Sequence, residues 1–266
     1  VSGTDLHSHA LLVPFVSGYL IYIRRRQLPE RYQSSPFIAS VLFIAGVAAE
    51  AWNWHVQSSP LSWTLNDHFS LMTAGFLCLV LAGGFLFLGR RWMAAAAFPV
   101  FFLIFTIPMP DAMAETLEQA SRAATAEVVT GLFHLTGMPF VRDGYEFQLP
   151  AIRIAIAREC SGIRSSWVLF ITSLLAGHLF LATTRRRALL TLFVIPLGLL
   201  RNGFRVMVIA WLCVDVSPDM IDSFIHHRGG PIFFVISLVP LLLLLGWLRR
   251  DEARTAARKT LQNATD

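Results

Sequence analysis

The stretch ARECSGIRSS, residues 157–166, sets Cys160 beside Glu159 and between Arg158 and Arg164. A cysteine that only fills space needs no charged neighbours, whereas guanidinium groups and the positive end of a following helix favour thiolate over thiol. Ser161 and Gly162 suit the cap of such a helix, and Arg164, four residues on, shares a helical face with Cys160. A nucleophilic thiolate is one reading of the stretch. A small buried hydrophobe, the role expected of Cys78 in its apolar run, is a second, and a disulfide with Cys213 is a third.

The run LLRNGFRVMVIA, residues 199–210, carries charge where an apolar helix should carry none. Arg205 lies eight residues inside Cys213, about 12 Å along a helix axis, and Arg201 lies one turn deeper on the same face. Such a charge costs on the order of 2.5–3.5 kcal/mol to insert and faces a pocket or a partner. The structural alternative is a pairing with Glu50, Asp67 or a helix-end carbonyl. Asn202, three residues before Arg205, can point into the same cavity. The loop DSFIHHRGGPIFF then brings His226 and His227 to the start of the last apolar run. Alone, such histidines bond to headgroups or water. Together, a thiol, an imidazole and a fixed cation are the parts for cysteine acyl transfer.

Those parts need a scaffold. The chain has 266 residues, 55% of them hydrophobic and only 15% charged, with 21 Phe and 7 Trp, which suits a bundle dissolved in lipid. A membrane helix needs about 20 apolar residues, and the runs that meet or approach this are 8–23, 36–52, 69–89, 92–108, 163–183, 188–213 and 231–248. The net charge is +5, and arginines cluster at 24–26, 90–91, 185–187 and 249–250, after alternate runs. Simple alternation of seven spans puts all four clusters on the cytoplasmic side of an inner membrane, so nucleic acid is not the expected partner. Three cysteines without CxxC spacing argue against a zinc site or a disulfide framework.

The opposite side then receives residues 1–8, Trp52 and Trp54, the stretch 109–160 and the loop 214–230. Within 109–160, DAMAETLEQASRAATAEVVTGLFHLTG reads as an amphipathic helix lying on the membrane surface and stopped by Gly137. Asp143-Gly144 reads as a hairpin turn, and alternation from Arg153 to Ile156 continues a small β-ribbon into Cys160. The expected organisation is one transmembrane catalytic domain over 1–250, with 109–160 as an extracytoplasmic insertion and 251–266 as a polar cytoplasmic tail.

ECSGIRSS, NGFRV and HHRGGPIFF, in that order, resemble the exosortase/archaeosortase family of membrane transpeptidases. The family's A-C-S-G-[IL]-R-S stretch falls on Cys160, with Glu159 as a departure from its alanine. Its N-x-x-R pattern falls on Asn202 and Arg205, and its H-x-x-x-G-x-x-x-F pattern on His226, Gly230 and Phe234; His227 gives poorer register. SHALLVPFVSGYLIYIRRR resembles the family's early helix, and the segment from IPMPDAMAE to FQLP resembles the one preceding its cysteine. The resemblance covers about nine-tenths of the chain.

The fold this implies is an all-α polytopic bundle of about seven visible membrane helices, eight with one expected upstream of Val1. The implied activity is cleavage of exported proteins bearing a C-terminal motif such as Pro-Glu-Pro, a transmembrane helix and a basic end. Cys160, Arg205 and His226 are the implied catalytic set, with a thioester intermediate and transfer to a surface glycan or lipid. His227, Arg164, Asn202, Arg201 and Glu159 are supporting candidates, and no cofactor or metal is required. The implied site faces outward, with Cys160 Sγ, the Arg205 guanidinium and a His226 ring nitrogen around one pocket. Two other readings compete: a carrier or channel binding an anion at Arg201 and Arg205, and a metal site from His7, His9, His226 and His227.

Overall fold

The computed structural model describes residues 11–57, 63–150, 152–156, 163–217 and 230–265. The chain is an all-α polytopic membrane protein carrying one small sheet. Its contacts divide it into two compact units, 1–115 and 116–266.

The first unit holds α1 (Leu12–Ile23), α2 (Pro36–Gln57), α3 (Leu65–Phe87), α4 (Gly89–Ala95) and α5 (Ala97–Phe102). The α2 and α3 helices are long and apolar enough to cross a membrane. They pack closely where Gly46 meets Gly75, since a Cβ on Gly46 would lie 2.9 Å from the Gly75 carbonyl oxygen. Thr64 caps α3 in a reciprocal box with Asp67, each satisfying an orphan donor of the first turn. Asp67 Oδ1 accepts from the Asp111 N–H at 2.9 Å, and Asn66 Nδ2 donates to Asp111 Oδ1 at 2.7 Å. The head of α3 therefore fixes the start of α6 (Asp111–Thr136). Cys78 on α3 is a free, half-buried thiol rather than a fully buried one.

Seven apolar runs do not give seven straight spans. Among the described residues four helices are long and apolar enough, and a bent pair offers a fifth. The run 92–108 breaks at Ala96 into α4 and α5, then passes through a 3-10 turn, Leu103–Thr106. Pro99 explains the break: it has no N–H to bond residue 95, and its ring clashes with that carbonyl in a continuous helix. Past Pro108 and Pro110 the chain turns by 91° into α6. The α1 helix has 12 residues, and the apolar run before the loop at 181–183 forms a helix of 18.

In the second unit α6 ends as the sequence suggests. Gly137 has φ +70°, a conformation that glycine adopts without penalty, and the Met138 N–H returns to the Phe133 carbonyl at 3.1 Å. Three antiparallel strands follow in the order β1 (Val141–Asp143), β2 (Glu146–Gln148) and β3 (Arg153–Ala155). Gly144, with φ +59°, makes the hairpin turn. Alternation puts Phe147, Ile154 and Ile156 on one face, where they join Val129 and Phe133 of α6 in a core.

Among the described residues three long helices follow: α7 (Ile163–Phe180), α8 (Thr184–Asp215) and α9 (Gly230–Thr265). Leu169, Leu190, Val194, Leu241 and Leu245 knit them into a second core. The tail beyond Arg250 continues α9 as helix. Glu252 there accepts from the N–H groups of Ala182 and Thr183 at 2.9 and 2.8 Å and from the Thr183 hydroxyl, while Arg186 bonds Asp251 and approaches Glu252 at 3.3 Å. Two of the arginine clusters thus share one end of this unit. A carboxylate on the first amides of α8 is where the helix dipole favours it.

Candidate active site

The site is built on α8, whose stretch GLLRNGFR at 198–205 meets three neighbours. Gly198 lets α7 approach: a Cβ there would lie 2.7 Å from Ser166 Oγ. Gly203 does the same for α6, where a Cβ would lie 2.5 Å from Val128 Cγ1. Phe204 packs edge-on against Phe233 in the first turn of α9, with ring centroids 6.3 Å apart.

The close approaches let short polar side chains reach one another. Arg201 is 8% exposed, and its Nη2 donates to Ser166 Oγ at 3.1 Å. Asn202 is 3% exposed, and its Nδ2 donates to Thr125 Oγ1 of α6 at 3.2 Å. Arg205 is half-buried. At about 100° per residue, Arg205 stands about 20° from the Gly198 direction, on the side of α8 that faces α7. The contact with α9 at Phe204 lies about 120° from Gly198 on the same side as Arg205, with Arg201 about 60° round, so both arginines project into the sector between α7 and α9. One cation is held by a hydroxyl, and a second stands one turn further on.

The structure brings Arg201, Asn202 and Arg205 together, and these three are the described members of the expected set. Cys160, Glu159, His226 and His227 lie outside the described residues, as do His7 and His9 of the alternative metal site. Arg164 belongs to the first turn of α7, and its side chain also lies outside them. Chain connectivity still bounds two of these positions. Three peptide links hold Cys160 within about 11 Å of Ile163, and four hold His226 within about 14 Å of Gly230. Cys213 is a free, fully buried thiol. Among the described residues no three His, Cys, Asp or Glu gather as a metal ion would need.

Ser166 and Thr125 were not singled out by their sequence context. A mid-helix arginine demands a partner, and Ser166 is one of three serines, with Ser161 and Ser165, that the cysteine motif offers. Arg122 is a further residue with a positioning role. Its Nε donates to the Ile156 carbonyl at 2.8 Å, and its guanidinium lies 4.5 Å over the Tyr145 ring. Arg142 holds the hairpin from the other side, donating to Glu127 Oε1 at 2.8 Å, Thr130 Oγ1 at 3.0 Å and the Gly144 carbonyl at 3.0 Å. The strand that precedes the cysteine motif is thereby fixed to α6.

The family model described as Transmembrane exosortase (Exosortase_EpsH) matches residues 2–257. The chain belongs to the transmembrane exosortase family. The matched region contains the cysteine motif, the α8 arginines and the histidine loop, so the exosortase match spans every residue of the candidate site. No curated protein and no solved structure matches the chain.

Proposed function

We propose that the protein is an exosortase that cleaves the C-terminal sorting signals of exported proteins and transfers the product to a surface acceptor. Cys160 attacks the carbonyl carbon of the scissile peptide bond as a thiolate. Arg205 donates to the oxyanion that forms. Collapse expels the amine, which takes its proton from His226, and leaves the exported protein as a thioester on Cys160. An amine or hydroxyl of a glycan or lipid precursor then attacks the thioester, its proton passing to His226 and the thiolate leaving. The start of α7 lies close after Cys160 in the chain, and its positive end favours the thiolate. Arg201, bonded to Ser166, positions α7 against α8. The catalytic centre works at the extracytoplasmic face of the inner membrane.

The observation that supports this reading is the convergence on α8. The helix that follows Cys160 and the helix that follows His226 both pack on the stretch 198–205, through Ser166 and Phe233, where the family's asparagine and arginine stand. Three segments far apart in sequence are thereby tethered to one sector.

The test uses a secreted reporter ending in Pro-Glu-Pro, a transmembrane helix and a basic end. The parent chain should shorten the reporter, hydroxylamine should release a trapped thioester, and Cys160→Ala should abolish both. Conversion that survives Cys160→Ala would refute the reading. Anion uptake lost on replacing Arg205 while the parent leaves the reporter intact would favour a carrier instead.

A further inference from the structure

Among the described residues the sheet ends on β3 with an open edge. The bonds from the Ile156 N–H to the Tyr145 carbonyl and from the Leu149 N–H to the Ile152 carbonyl, each 2.9 Å, flank the Phe147–Ile154 pair. In an antiparallel ladder the bonding residues alternate, so residues 152, 154 and 156 turn their backbone groups to β2, and Arg153 and Ala155 turn theirs outward. Among the described residues the strand order β1-β2-β3 puts no strand beyond them. Both residues are exposed, and among the described residues no backbone bond reaches their outward N–H and C=O groups.

Strand edges are normally blunted by shortness, charge, a proline, a bulge or a covering loop. β3 is short and carries Arg153, but it has neither proline nor bulge, and contacts from the second unit pin it. Its inner face is buried against α6, Arg122 holds the Ile156 carbonyl, and Arg142 pins the hairpin. An edge held in register by so many contacts loses little entropy on pairing. Its one cation, Arg153, has a side chain 66% exposed with Glu146 at 3.6 Å, so it has room for a second carboxylate on the open side. Cys160 comes five residues after Ala155, within about 17 Å of chain.

We propose that the open edge of β3, at Arg153 and Ala155, docks an extended segment of the exported protein as a fourth strand, with an acidic side chain set against Arg153. The proposal rests on the peptide-processing reading above and names how that substrate is held. Backbone bonds give the affinity, and the side chain opposite Arg153 gives the preference. The segment is presented extended and in register beside the chain that leads to the cysteine.

The probe is the same reporter, bound to full-length chain in nanodiscs with Cys160→Ala so that binding is read without turnover. Ala155→Pro removes the one outward N–H at that position and leaves the β2 ladder whole, since proline is tolerated on an edge. It should weaken binding about tenfold, the effect of losing roughly one backbone hydrogen bond. Ala155→Val keeps the N–H and should bind as the parent does. Arg153→Glu should weaken the Pro-Glu-Pro reporter and favour its Pro-Lys-Pro counterpart.

Should Ala155→Pro disturb the fold, a synthetic motif peptide N-methylated at its glutamate carries the same test from the other partner, with the same loss expected. Equal affinity for Ala155→Pro and parent, or for methylated and plain peptide, overturns the docking edge even where the parent chain cleaves the reporter. A chain that binds the reporter with this pattern of losses and never cleaves it overturns the transpeptidase reading and leaves the edge in place.

Discussion

Gly203→Ala tests whether the close approach of α8 to α6 is what positions the arginines. The new Cβ would stand 2.5 Å from Val128 Cγ1 and 3.2 Å from Val128 Cβ, and ordinary contact begins near 3.4 Å. The helices must part by about 1 Å, because the obstacle is a β-branched side chain with little rotamer freedom. That displacement stretches the 3.2 Å bond from Asn202 to Thr125 beyond hydrogen-bonding range. Overpacking costs about 1–3 kcal/mol, and a buried amide left without its acceptor about 1–3 kcal/mol. The two effects overlap, so the expected loss is about 2–4 kcal/mol. At roughly 2–4 °C per kcal/mol for a chain of this size, Tm in detergent should fall by about 5–15 °C.

Conversion of the reporter should fall further than stability alone explains, because misplacing a catalytic group by about 1 Å can cost on the order of a hundredfold. Val128→Ala removes the obstructing methyl groups and should restore much of the loss in the double variant, giving a coupling of about 1 kcal/mol or more. Strict additivity of Gly203→Ala and Val128→Ala would refute this account of the α6–α8 contact.

Thr125→Val, which keeps the shape and removes the hydroxyl that accepts from the Asn202 amide, should cost about 1–3 kcal/mol, read as a lower Tm at unchanged expression. Glu252→Gln should lower Tm by weakening the cap on α8, an interaction of roughly 0.5–2 kcal/mol. The hydrogen bonds from Thr183 and Ala182 hold the Glu252 carboxyl down at about 2, against 4.5 for an ordinary glutamate. A depressed carboxylate stabilises the fold above its ordinary range and loses that contribution as pH falls through its folded value. The gap in Tm between parent and Glu252→Gln should therefore hold from neutral pH to about 4.5 and close between there and 2. His226→Ala should abolish reporter conversion and His227→Ala should leave most of it, and the reverse result would move the catalytic assignment by one residue.

Local signals in the sequence carried the second unit well. The glycine at 137 ends α6, Asp143-Gly144 turns the hairpin, and alternation from Arg153 to Ile156 buries the isoleucines. These features depend on backbone preference and side-chain period, which a short window contains. The broken fourth run was less legible because its composition is apolar throughout, and hydropathy does not register the single missing N–H at Pro99. The partners of the arginine stretch were hidden for a different reason. Ser166 and Thr125 are small hydroxyl residues without a pattern, and only the close packing at Gly198 and Gly203 brings them within reach. The anchoring of α9 past Arg250 was likewise unmarked, since its polar residues are held by contacts 65 to 70 positions away.

That continuation has a mechanical consequence. Glu252 fastens α9 to the turn between α7 and α8, and the helix then runs on to Thr265, a stiff arm about 20 Å long. Force applied at its far end is not absorbed by slack chain but arrives as torque at residues 182–183, where α8 begins. A bulky fusion placed there through a rigid spacer would twist the helix bearing Arg205, while the same cargo on a glycine-serine tether would leave it undisturbed.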